Sequence, residues 1–92
     1  MPTPAHSDAA IEAALRGLLE ARAPKSLCPS EVARSLSADE REWRALMPAV
    51  RAVAVRLAHN GTLAITRKGQ RLVPDTITGG PVRLVKLAPD AV

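Results

Sequence analysis

The sequence predicts a winged helix-turn-helix domain, mainly α, in which three helices precede a two- or three-stranded antiparallel wing. Three observations predict it. Apolar residues recur every three or four positions through 11–19 and again through 50–57, the period of helices with one buried face. Past Gly61 the period changes to alternation, in 62–66 and 70–73, on either side of Arg67-Lys68-Gly69. The second and third helical segments are joined closely, as helix-turn-helix architecture requires.

Taken in order, residues 1–6 carry prolines and no apolar period, and are expected to be a frayed tail. Ser7 or Asp8 can cap a first helix whose stripe is Ile11, Ala14, Leu15, Leu18 and Leu19. Pro24 should end it near Arg22, because the residue before a proline disfavours helical geometry. Lys25-Ser26-Leu27 has room for a linker or a one-bridge strand. Cys28-Pro29-Ser30-Glu31 then opens a second helix, with proline where the missing N–H costs nothing and a carboxylate near the positive end of the helix dipole. Ser37-Ala38-Asp39-Glu40 has capping-box spacing, and predicts a further helical stretch carrying Trp43, Leu46 and Met47. Pro48 is expected to interrupt that stretch and to start a third helix over about 48–60, with Val50, Val53, Ala54 and Leu57 inward and Asn60-Gly61 as its stop. Pro74 should end the second strand, Thr78-Gly79-Gly80-Pro81 should turn, and 82–87 can form a last strand. The domain is thus expected over 7–88, with a C-terminal tail at 89–92.

Composition narrows the function. At 92 residues the chain is one domain. Trp43 is its only aromatic residue, so it lacks the platform on which single-strand binders stack bases. A lone cysteine, Cys28, fits a reducing compartment, and neither a leader-like N-terminus nor a bilayer-length apolar run is present, so cytoplasm is the expected location. Charge is unevenly spread. Residues 1–46 hold six Lys/Arg and seven Asp/Glu, whereas 47–92 hold seven and two, giving −1 and +5. An anionic partner would favour the basic half.

The candidate site follows from these assignments. With Val50, Val53, Ala54 and Leu57 inward, Arg51, Ala52, Val55, Arg56 and His59 fall on the opposite arc. Arginines there can read guanine or hold phosphate, and Ala52 and Val55 can touch a thymine methyl; a solvated face, or in Val55 a contact for a partner helix, is the alternative. At the wing tip, Arg67, Lys68 and Arg71 can lie along a phosphate backbone, or simply keep a sheet edge from aggregating. Trp43 suits a core or hinge anchor better than a base-stacking residue, and Cys28 a structural or capping role. His6 and His59 have no ligand spacing, and Gly79-Gly80-Pro81 lacks the lysine of a phosphate loop. No catalytic set, metal site or cofactor is expected.

Residues 27 to about 87 resemble a bacterial winged-helix family, domain of unknown function 3253. The resemblance rests on Cys28-Pro29-Ser30-Glu31-Val32-Ala33-Arg34, Trp43-Arg44, Met47-Pro48, Val50-Arg51, Arg56-Leu57 with Gly61, Thr66-Arg67-Lys68-Gly69, and Gly80-Pro81-Val82-Arg83-Leu84. It implies the winged-helix fold and brings no activity with it. The leading expectation is a double-stranded-DNA-binding protein, such as a transcriptional regulator, with a protein-interaction module or homodimer as the alternative.

Overall fold

The computed structural model describes residues 7–73 and 81–87. The tails expected at 1–6 and 89–92, the stop at Pro74 and the turn at 78–80 lie outside the described residues. Ser7 caps α1 (Asp8–Arg22), its Oγ accepting from the Ala10 N–H at 3.2 Å, and Ile11, Leu15 and Leu19 form the buried stripe. Leu27 makes one bridge, to Leu84. Cys28 and Pro29 then open α2 (Pro29–Leu36), and the Glu31 carboxylate reaches back to accept from the Cys28 N–H at 2.9 Å.

The third helix corrects the expectation. It is α3 (Glu40–His59), unbroken, with Pro48 inside it. The helix is not interrupted at Pro48, and the Trp43 stretch is its first half. At about 100° per residue, Trp43, Leu46 and Met47 prolong the stripe of Val50, Val53, Ala54 and Leu57, and all seven pack into one core. Burial along that full stripe offsets the roughly 3 kcal/mol that an internal proline costs. The start differs too. Asp39 is the N-cap, its Oδ1 accepting from the Glu42 N–H at 3.2 Å. Ser37 ends α2 in an extended conformation, and its Oγ accepts from the Asp39 N–H instead.

Gly61, at φ +83°, turns the chain into β1 (Leu63–Arg67). β1 is the central strand, paired antiparallel on one side with β2 (Gln70–Arg71) and on the other with β3 (Arg83–Lys86). The β1–β2 connection is tighter than the three residues expected. Arg67 pairs with Gln70, leaving only Lys68 and Gly69 in the loop, both at positive φ (51° and 82°), as a type I′ turn requires. β2 is shorter than the 70–73 expected: it spans Gln70–Arg71, beyond it the Leu72 N–H donates to the Ile65 carbonyl at 2.7 Å, and the Val73 side chain is exposed.

Among the described residues the fully buried part of the core is aliphatic, with Ile11, Leu15, Leu27, Val32, Val50, Leu57, Leu63 and Leu84 fully buried and no polar side chain buried with them. Every helix, the Leu27 bridge, β1 and β3 contribute to it. The result is three helices followed by a three-stranded antiparallel sheet, a winged-helix arrangement.

Candidate nucleic-acid interface

Helix α3 spreads the predicted residues over more than one face. Ala52 is exposed; Arg51 and Val55 are half-buried, and Val55 packs against the core. Arg51 and Arg56, five positions apart, lie about 140° from each other around the helix. Arg56 turns to α1, where its Nη2 donates to Glu12 Oε1 at 2.7 Å. The exposed ridge at the centre of the predicted arc runs through Arg41, Ala45, Pro48, Ala52 and His59. Beginning the helix at Glu40 extends that arc toward the N-terminus by Arg41, Ala45 and Pro48.

Part of the charge asymmetry is taken up inside the fold. Helix α1 supplies Glu12 to Arg56 and Glu20 to Lys86, so two cations of the basic half pair with carboxylates of the acidic half. Arg83 is engaged as well. Its Nε donates to Ser26 Oγ at 2.8 Å, its Nη1 to Cys28 Sγ at 3.0 Å and its Nη2 to the Ser26 carbonyl at 3.3 Å. Glu12 also accepts from Arg16 Nε at 2.8 Å. Hydrogen bonds from Arg16 and then Arg56 hold its carboxyl below the ordinary range.

The wing tip keeps two of its three cations outward. Lys68 and Arg71 are exposed, on either side of Gly69 and Gln70. Arg67 is half-buried, with its Nε donating to the Pro81 carbonyl at 3.3 Å. Lysine in the left-handed region costs about 1 kcal/mol, and asparagine or glycine is the usual choice in such a turn. The tip therefore carries a charge at some expense in stability.

Sequence reasoning missed one cluster. Trp43 is half-buried at the core margin, with the Arg34 guanidinium 4.6 Å and the Arg44 guanidinium 5.3 Å from its ring centre. Arg44 also donates to Glu40 at 2.7 Å. The signal in the sequence was Trp43 and Arg44 placed nine and ten positions after Arg34, but only the helix crossing brings them together.

At the start of α2, Glu31 accepts from Cys28 and pairs with Arg22. Its carboxyl is held below the ordinary value of 4.5, first by the Cys28 N–H and then by Arg22. A lowered folded value means that its contribution is complete above pH 4.5 and drains away as pH falls through the folded value. Glu31→Gln should thus be less stable than the wild type at pH 7 by about 1 kcal/mol. Denaturant melts of the two proteins should converge as pH falls below the folded value; a constant gap would mean that the carboxylate charge is not what stabilises the cap.

Among the described residues, no group of three metal-ligating side chains occurs, and no helix is long and apolar enough to cross a membrane. A surface cleft of about 150 Å³ is lined by Arg16, Leu19, Glu20, Thr62 and Lys86, below the roughly 300 Å³ at which small-molecule sites begin. No curated protein matches the chain. Residues 8–86 match the family described as "Protein of unknown function (DUF3253)", and with most of its length matched the chain belongs to that family.

Proposed function

We propose that this protein binds double-stranded DNA, with the outward ridge of α3 in the major groove and the wing tip on phosphate. The observation that carries the reading is the wing. Where Arg56 and Lys86 pair with carboxylates of α1, Lys68 and Arg71 stay exposed, and Lys68 holds its place in a backbone conformation that lysine disfavours. Exposed cations on a tight turn beside a helix-turn-helix suit a phosphate backbone, each contact adding salt-sensitive affinity. Arg41, Lys68 and Arg71, with Arg51 or Arg67 at the margins, are the contacts this geometry favours; Arg56 is the least suited, because Glu12 already holds it.

The test is a titration of labelled random duplex at 50 and 200 mM salt. Four phosphate contacts would weaken binding by about 100-fold between the two. No retention at 50 mM would overturn the reading.

A second reading, a protein-interaction module or homodimer, draws on the acidic first turn of α3. Asp39, Glu40 and Glu42 stand at the end of the helix that would enter a groove first. A stable assembly in sedimentation, insensitive to salt and free of nucleic acid, is its expected result.

A further inference from the structure

The chain has one aromatic ring, Trp43, and the fold places two guanidinium groups over it, at the corner where α2 gives way to α3. The two arginines differ in what else holds them. Arg44 is tied to Glu40 at 2.7 Å. Arg34, in the last turn of α2, is exposed, and among the described residues no carboxylate pairs with it and no protein oxygen accepts from it. A guanidinium held over an aromatic face loses side-chain freedom without spending a donor on the protein. Its N–H groups stay available to an anion. The nearby carboxylates are already engaged, Glu40 by Arg44 and Asp39 by the Glu42 N–H that it caps. Around α3, Arg44 lies about 60° from Arg41 and about 100° from Trp43, so it stands between the outward ridge and the side that meets α2. Arg34 borders the ridge on that side.

From this we infer that Arg34, held over the Trp43 ring, is a phosphate contact made from α2, with Trp43 as its positioning residue. The inference rests on the DNA-binding reading and extends the contact surface from α3 and the wing to the helix before them. In a helix-turn-helix the second helix lies in the groove while the first crosses the backbone, which is where a cation on the α2 side of the ridge would meet a strand. The planar fork of arginine matches two phosphate oxygens at once. Trp43 adds no charge to this contact; it removes the freedom that an exposed arginine would otherwise lose on binding.

The experiment is titration of labelled random duplex across a salt series, below the melting temperature of each protein, with the full chain and its Arg34→Ala, Trp43→Leu, Trp43→Phe and Lys25→Ala variants. Lys25→Ala serves as the charge-matched control, because it removes an exposed cation from the linker between α1 and α2. Arg34→Ala is expected to bind about tenfold more weakly at 50 mM salt and to flatten the log–log salt slope by about 0.9. Trp43→Leu should lose about threefold in affinity at an unchanged slope, since the charge remains but its restraint is gone. Trp43→Phe keeps a ring face and should recover most of that loss. A wild-type slope in Arg34→Ala overturns the inference and leaves DNA binding standing, with the stack reduced to a tie between α2 and α3 that shows only in the melting temperature. An equal loss of slope in Lys25→Ala also overturns it, because net charge rather than a contact would then be read. Wild-type affinity in Trp43→Leu overturns the positioning role of the ring; should that variant not fold, Arg34→Ala and Trp43→Phe still decide. Failure of the unaltered chain to bind duplex at 50 mM salt removes the binding reading and the inference together.

Discussion

Leu84→Ala is expected to lower stability by about 3–5 kcal/mol, the range for a fully buried leucine whose cavity cannot collapse. Leu84 lies where three parts of the chain meet. Its backbone bridges Leu27 on one side, N–H and carbonyl both engaged at 2.7 and 2.8 Å, and it pairs with Ile65 of β1 on the other. Its side chain is fully buried in the core with Leu27, Leu63 and Ile65. Alanine keeps the backbone bonds and removes the packing, and a rigid sheet flanked by helices has little freedom to close over the gap. A domain of this size has only about 5–15 kcal/mol in all, so the melting temperature should drop by roughly 15–30 °C. Circular dichroism melts measure it directly. A loss below about 1 kcal/mol would mean that β3 is not an integral part of the core.

The second large effect is on binding. Lys68→Ala with Arg71→Ala is expected to reduce affinity for random duplex by about 100-fold at 50 mM salt and to flatten the log–log salt slope by about 2, because each phosphate contact contributes roughly 0.9 to that slope. The two residues are exposed, and neither is among the side chains that tie the elements together, so folding should be spared. Removing lysine from the left-handed position relieves little, since alanine is disfavoured there too. An unchanged melting temperature together with an unchanged salt slope would place the phosphate contacts elsewhere and remove the wing from the interface. The matching control is Arg56→Ala. It breaks the tie from α3 to Glu12, and on the present geometry it should leave the slope nearly as it was.

Much of the architecture was legible because it is local. Ser7, Pro29 and Gly61 act on their own turns of chain through hydrogen-bond chemistry and backbone freedom, and each stands where its helix or turn begins. The switch from helical to alternating period likewise marked the wing. Pro48 misled for the same reason. Read locally, a proline stops a helix, but here the stripe on either side of it belongs to one helix, and packing of that stripe outweighs the local penalty. The error carried into the candidate site, since a helix that starts at Glu40 presents Arg41, Ala45 and Pro48 outward together with Ala52.

By itself, then, the order of residues determined three helices, a β-hairpin and a basic C-terminal half, since caps, turns and periodicity act over a few positions. Which cations remain available was decided only in three dimensions. Glu12 meets Arg56 across 44 positions, and Glu20 meets Lys86 across 66. Coulomb attraction and hydrogen bonding between side chains depend on distance in space, so two of the cations that looked like ligand surface along the chain, Arg56 and Lys86, became in the folded protein the ties between α1 and its neighbours.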